Sequence, residues 1–463
     1  MRIWRESQKF IYYFITYPLP MKKACLLAAF LLVCATSFAQ TKRYVILVKD
    51  AFEQPVGQNR TNHPDRRQQH TINNNERQRK LKRLNDIAAR NQIKLIADDS
   101  KFVDGHMGFH ADLTDQQLQS LQADPDIELI HEDFVIQGNP IQQGNPIQQG
   151  NPIQQGNPIQ QGNLIQQGNP IQQGNPIQQG NPIQQSASIA NIADVFDPVT
   201  KVSCSIVRVG GGKGTDNMKS SIWILDTGVD ASHPDLNVNK QLSISYVPGE
   251  SPLVDGSGHG THCAGIIGGT GKGVPGVMGV SPGAEIISIK VLDRTGGGNW
   301  SNVMKGLDHV HKYGQAGDVV LLSLGSLEDK HCQTAYMSVH KMIQMLERHG
   351  IFVVMSAGND REPAKENFPG CITGNNIFTV MAIDMSCNGS QTCYDYSNYG
   401  APVKWATAGV NIFSSYKNKQ YCLMSGTSMA GAVMAGIIHA RGGAPANGGQ
   451  ISCRGESYMM AVK

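Results

Sequence analysis

The chain has 463 residues, 50 of them glycine, and a formal net charge of only +3. That length holds two or three domains with sizeable cores. The near-neutral charge gives no sign of a nucleic-acid or membrane-surface partner, and abundant glycine with few aromatics fits a loop-rich α/β enzyme better than a coiled coil or a disordered chain.

The start of the chain predicts export. Met21-Lys22-Lys23 is a short basic opening, residues 24–35 are a mostly apolar run too short to span a bilayer comfortably, and Ser37-Phe38-Ala39 offers small residues before Gln40, as a signal peptidase requires. The rival is a membrane anchor lengthened by the apolar stretch 10–19. Tyr17-Pro18-Leu19-Pro20 and two lysines separate the two runs, which favours a signal region over 1–39, with Met21 as a second candidate start. Cys34 follows Leu32-Val33 and not a small residue, which argues against lipidation. The expectation is a secreted protein, extracellular or periplasmic, without a stable membrane anchor. Export permits disulfides. Eight of the ten cysteines lie beyond the signal, and no Cys-x-x-Cys spacing supports zinc. Cys387 and Cys393, flanking a short polar loop, are the readiest pair.

Residues 42–136 read as one unit. A strand is predicted over 44–48. A helix over 76–90 carries Leu81, Leu84, Ile87 and Ala88 at helical spacing, with its arginines and lysines as a solvated face. A second strand follows over 108–113. Thr114 with Gln117 three residues on is a capping-box start for a helix over 115–123, and a third strand covers 127–130. Gly108-Phe109, Leu118, Leu121, Asp124-Pro125 and Glu132-Asp133 resemble the inhibitor-type pro-domain of subtilisin-like proteases. That resemblance implies a small αβ domain that assists folding and then blocks the enzyme, an intramolecular inhibitor. Gly-Asn-Pro-Ile-Gln-Gln then recurs every six residues from Gly138 to Gln185, with Leu164 replacing one proline. With one aliphatic residue per repeat, usually after a proline that cannot donate to a ladder, a partly extended linker over 137–185 is favoured over a β-helix.

From residue 186 a third unit runs to 463. Apolar runs of strand length at 221–225, 285–291, 318–322, 351–355 and 376–382 alternate with amphipathic helices at 301–311 and 335–348. This predicts an open, mostly parallel sheet with helices on both faces, its site beyond the carboxyl ends of the strands. Asp226 ends the first strand, where a carboxylate can orient an imidazole; alone it would be a turn or cap residue. His259 stands between glycines that allow close backbone approach, and His262 three residues on lacks the glutamate of a zinc-protease motif. Ser428, in Ser425-Gly426-Thr427-Ser428-Met429-Ala430, opens an apolar helix whose N-terminus favours developing negative charge; the bland alternative is a capping serine.

The order Asp, His, Ser and the three surrounding strings resemble the subtilisin-like serine protease family over roughly residues 220–441. The resemblance implies that Asp226, His259 and Ser428 form a catalytic triad and that Asn359, in Ser356-Ala357-Gly358-Asn359, binds the oxyanion. Gly296-Gly297-Gly298, Ser323-Leu324-Gly325 and Ser356-Ala357-Gly358 would bind substrate, with Trp300 at an outer pocket or simply in the core. Cys263, after His262, is similar to the proteinase K and thiol-dependent subgroups and implies a free thiol beside the histidine. Catalysis would need no cofactor. The metal question stays open: Lys404 stands where many relatives carry an aspartate that helps bind structural calcium. Gly431-Ala432-Val433 replaces the usual Ser-Pro-His after the nucleophile. The function expected is a secreted serine endopeptidase acting on polypeptides, made as a zymogen that first cuts itself near residues 137–143 or within the early repeats. Alternatives are a latent peptidase-like binding protein with a retained pro-domain, and an interaction module built from the repeats.

Overall fold

The computed structural model describes residues 41–49, 74–95, 100–138, 142–143, 192–214, 220–326, 332 and 337–463. The predicted signal and most of the repeats lie outside the described residues.

The N-terminal unit comprises β1 (Lys42–Val48), α1 (Asn74–Arg90), β2 (Lys101–Phe102), β3 (Gly108–Leu113), α2 (Asp115–Ala123) and β4 (Ile127–Glu132). Its strands pair in the order β2-β3-β1-β4, with β1 antiparallel to both neighbours. The expected capping box is formed: Thr114 Oγ1 accepts from Gln117 N, and Gln117 Oε1 accepts from Thr114 N. The second half of β1, Val45 to Val48, is apolar and buried because both its faces are covered there, whereas Lys42 and Arg43 are exposed. Ile46 and Val48 pack with Leu84, Ile87 and Leu121 of the unit itself. Val45 and Leu47 belong to a different core, shared with the helices of the large unit.

The chain continues through β5 (Val135–Gly138) and β6 (Gln142–Gln143), then α3 (Ile192–Val195), β7 (Phe196–Asp197), β8 (Val202–Ser203) and α4 (Cys204–Arg208). The large unit follows with β9 (Ser221–Asp226), β10 (Asn237–Val238), β11 (Ile244–Ser245), α5 (His259–Gly268), β12 (Glu285–Lys290), β13 (Gly297–Asn299), α6 (Trp300–Tyr313), β14 (Val319–Leu322), β15 (Leu324–Ser326) and α7 (Met337–Arg348). It closes with β16 (Phe352–Ser356), β17 (Ile377–Met385), β18 (Gln391–Cys393), β19 (Trp405–Ala408), β20 (Ile412–Tyr416), β21 (Gln420–Ser425), α8 (Thr427–Arg441), β22 (Ala446–Cys453) and β23 (Glu456–Val462).

The main sheet runs β10-β12-β9-β14-β16-β17-β19-β23-β22; the path from β10 to β23 is parallel, and β22 is an antiparallel edge. One face is covered by α5 and α8 in a core that includes Ile224, Ala264, Leu321 and Val433; the other by α6 and α7 in a core that includes Trp223, Leu225, Leu307 and Leu346. The five strands and two helices predicted for this unit are present with their ends moved by a few residues. The C-terminal hairpin β22–β23, which adds two strands past residue 441, carried no prediction. After β9 the chain builds one side of the sheet, then returns to the other with β14. The carboxyl end of β9 is therefore at a topological switch point, where open α/β sheets leave a crevice.

Cys387 and Cys393 are not bonded to each other. The bonds run Cys204–Cys387, Cys332–Cys371 and Cys393–Cys453. The antiparallel return of β18 sets Cys393 opposite Ile383. It is tied to the end of the edge strand β22, while Cys387, in the turn, is tied to α4.

Candidate active site

Asp226 is the last residue of β9 and is buried, with Thr227 N–H donating to its Oδ1 at 2.7 Å. His259 is the first residue of α5. Its Nδ1 lies 2.8 Å and 2.9 Å from the two Asp226 oxygens. A carboxylate can only accept, so Nδ1 carries the proton and Nε2 is left with its lone pair. The glycines on either side of His259 are required by space. A Cβ on Gly258, at φ +101°, would meet the Tyr416 ring at 2.1 Å, and one on Gly260 would meet Gly228 O at 2.1 Å. Asp255, which sequence reasoning missed, ties the turn before His259 by accepting from Gly258 N (2.7 Å), Thr261 N (2.8 Å) and Thr227 Oγ1 (2.9 Å). Its signal was an aspartate four residues ahead of the histidine in a glycine-rich turn.

Burial favours the neutral imidazole of His259, but the charge of Asp226, its hydrogen bond and the charge of Asp255 together outweigh that and raise the pKa above the ordinary 6.5. His262 points elsewhere. Its Nε2 reaches Ile412 O and Cys422 O, and burial pushes its pKa down to about 3, so it is a neutral core residue and not a metal ligand.

Ser428 is the second residue of α8, fully buried, and Ser323 Oγ donates to its carbonyl at 3.3 Å. His259 Nε2 and Ser428 Oγ are both buried polar atoms without a hydrogen-bond partner among the described residues. A buried polar atom without a partner calls for an explanation, and a catalytic role is one. Asn359 is buried, and its Oδ1 accepts from Thr427 N at 2.9 Å, which fixes the amide beside the start of α8. Cys263 is a buried free thiol whose sulfur lies within 4.8 Å of ligand atoms of Asp226 and His259. Burial pushes its pKa up, leaving it a neutral thiol. With Nδ1 already committed to Asp226, this trio is a hydrogen-bonded pair with a thiol behind it and does not fit a metal ion.

The predicted substrate segments form a clasp, and β5 fills it. On one side Gly297↔Gln137, Gly298↔Ile136 and Asn299↔Val135 pair antiparallel, and Gly138 N–H donates to Gly296 O at 2.9 Å. On the other, Leu324↔Gly138, Gly325↔Gln137 and Ser326↔Ile136 pair antiparallel. Ile136 is fully buried in one apolar cluster with Leu292, Trp300 and Leu324, which puts Trp300 in a core that Ile136 enters. β6 pairs with the end of β21, Gln142↔Ser425 and Gln143↔Met424. Ser356 and Ala357 are buried at the end of β16, and Gly358 N–H donates to Thr427 Oγ1 at 3.2 Å.

An imidazole with one nitrogen committed to a buried carboxylate, a buried serine at a helix start and a strand-binding clasp define a serine peptidase of the α/β type. The sequence comparisons agree. The subtilase family model matches residues 218–440. Thermitase of Thermoactinomyces vulgaris is 34% identical over 218 residues, 47% of this chain and 73% of that protein. Subtilisin DY of Bacillus licheniformis is 33% identical over 231 residues, 50% of this chain and 78% of that protein. A crystal structure of a cold adapted subtilisin-like serine proteinase aligns at 25% identity with a TM-score of 0.44, covering 52% of this chain and 85% of that one. The chain belongs to the subtilase family and is a subtilisin-like serine endopeptidase.

Subtilases need no cofactor for catalysis, and some bind structural calcium. Two places in this chain do not fit that ion. Lys404 presents an exposed ammonium, and its carbonyl accepts from Met459 N. In the loop after α5, Lys201 Nζ donates to Gly271 O (2.6 Å) and Gly273 O (3.3 Å), while the carboxylate of Asp235 is filled by Gly273 N, Val277 N and Tyr421 OH. The lysine supplies the cation there. Lys201→Met is expected to cost about 2 kcal/mol, the range for charge-assisted hydrogen bonds, in urea unfolding. A chelator is expected to leave the wild-type midpoint unmoved, and an unchanged midpoint in the variant would refute this role.

Proposed function

We propose that this chain is a secreted endopeptidase made as a self-inhibited zymogen, with a signal over 1–39, an inhibitory pro-domain over 42–136, a repeat linker over 137–185 and a peptidase domain over 186–463. The observation that carries this reading is β5, the tail of the small unit, lying as a third strand between the two clasp segments. Peptidases bind substrates as added strands in this way. The small unit is also seated by specific contacts. Asp133 Oδ1 accepts from Ser301 N at 2.8 Å, at the start of α6. The Asp308 carboxylate accepts from the backbone N–H groups of Val103, Asp104 and Gly105.

Ser428 Oγ attacks the scissile carbonyl, His259 Nε2 takes its proton and passes it to the leaving nitrogen, and Asp226 stabilises the imidazolium. Asn359 and the Ser428 backbone N–H hold the oxyanion. Limited digestion that removes the small unit is the test: hydrolysis of an unfolded protein substrate should rise, and inactivity before and after digestion would refute the reading. Asn359→Ala is expected to lower kcat by about 2.7–4 kcal/mol of barrier with KM little changed; a change confined to KM would contradict the assignment. Because the base must be neutral, kcat/KM should fall as pH drops through an apparent pKa above 6.5, following the raised value of His259. A profile flat down to pH values well below 6.5 would count against it.

A further inference from the structure

Helix α5 carries His259 as its first residue, so the imidazole goes where the start of the helix goes. A helix leaves its first backbone N–H groups without partners of its own, and the N-cap side chain ordinarily supplies one. Here the N-cap is Gly258, which has no side chain to offer and no room for one against the Tyr416 ring. The caps come from elsewhere in the chain. Asp255 Oδ2 accepts from Thr261 N at 2.8 Å, and Thr227 Oγ1 accepts from Gly260 N at 3.1 Å. The second of these bonds joins α5 to the residue that follows Asp226.

Thr227 is buried, and each of its polar atoms is engaged. Its N–H donates to Asp226 Oδ1 at 2.7 Å. Its carbonyl accepts from the buried Lys290 ammonium, which also lies 3.1 Å from Glu250 Oε2. Its hydroxyl has one proton, and that goes to Asp255 Oδ1 at 2.9 Å. Both Asp255 oxygens already accept from backbone N–H groups, so this carboxylate is an acceptor towards Thr227 as well. The lone pair left on the hydroxyl faces Gly260 N–H. The backbone at Thr227 is thus pinned through its own N–H and carbonyl, and the first turn of α5 is set against its hydroxyl. We infer, resting on the triad proposed above, that Thr227 is a positioning residue: its hydroxyl caps α5 from the end of the strand that carries Asp226, and so holds the His259 imidazole at bonding distance from that carboxylate.

Thr227→Val keeps the shape and removes the acceptor. Gly260, buried and pressed against Gly228 O, is then left with an N–H that has lost its partner. Folded chains avoid that state, and the first turn of α5 shifts to relieve it. A misplacement of about 1 Å at a reacting group costs on the order of 100-fold in rate.

The test is kcat, KM and the pH profile of the full chain freed of its small unit by limited digestion, counted per fluorophosphonate-titrated site. The variants are Thr227→Val, Thr227→Ser, Thr227→Cys and Asp226→Asn. Thr227→Val should lower kcat by about 10- to 100-fold with KM little changed. It should also move the acid limb of kcat/KM to lower pH, because an imidazole drawn off Asp226 loses the partner that holds its pKa above the ordinary 6.5. Thr227→Ser keeps the hydroxyl and should restore both. A residue that only stabilises the fold would lower the urea midpoint and leave kcat per site and the acid limb at their wild-type values. That result overturns the proposal, as does a serine variant as impaired as the valine one. Thr227→Cys puts a weaker acceptor at the same point and should fall between valine and wild type; wild-type kinetics there would overturn the proposal even where the valine chain does not fold. Asp226→Asn separates the proposal from the triad. A large loss there, with Thr227→Val unchanged, rejects the positioning role alone, whereas full activity in Asp226→Asn removes the triad and the proposal with it.

Discussion

Ser428→Ala should reduce kcat by about 10⁶, the scale seen when a serine peptidase loses its nucleophile, and leave a chain that does not process itself. Its stability should stay within about 1 kcal/mol of wild type, because Ser428 Oγ makes no hydrogen bond among the described residues and its loss leaves no donor stranded. The two readouts separate chemistry from folding: activity measured on a peptide substrate, and the midpoint of urea unfolding. Activity close to wild type would rule out Ser428 as the nucleophile. Lost activity with a collapsed midpoint would make it a structural residue.

Asp226→Asn should cost about 10⁴ in kcat, as in other triads that keep their geometry but lose the carboxylate. An asparagine offers Nδ1 a donor where the carboxylate offered only acceptors. The imidazole is then turned to the tautomer that carries its proton on Nε2, the nitrogen that must accept from Ser428. The substitution also removes a charge that raises the pKa of His259, so the acid limb of the remaining activity should shift to lower pH. Full activity would sink the role. A large loss without the shift would mean that the carboxylate acts on position alone.

Much of this site was legible because its signals are local. Asp226 follows a buried strand, His259 sits between glycines that the packing of Tyr416 and Gly228 demands, and Ser428 opens an apolar helix. The Thr114–Gln117 capping box is likewise contained within four residues. What sequence reasoning missed depends on distant partners. The Cys204–Cys387 and Cys393–Cys453 bonds follow from where α4 and β22 pack, which no spacing between cysteines encodes. Asp308 looks like a solvated helix aspartate until the loop at 103–105 is laid over it; burial then lifts its pKa to about 7. The onset of the repeats sets the boundary between pro-domain and linker at 136, yet β5 runs through it to Gly138 because the clasp offers hydrogen bonds to any extended backbone. The hairpin β22–β23 begins in a polar, glycine-rich stretch whose buried residues, Ile451, Tyr458 and Met460, come late.

The central claim is that Ser428 is a nucleophile kept covered by the tail of the small unit. A biotinylated fluorophosphonate, with the modified peptide mapped by mass spectrometry, measures this directly. The account predicts slow labelling of the intact chain, rapid labelling after the small unit is removed, and the adduct on Ser428 Oγ alone. An adduct on another serine, or none after removal of the small unit, would contradict it.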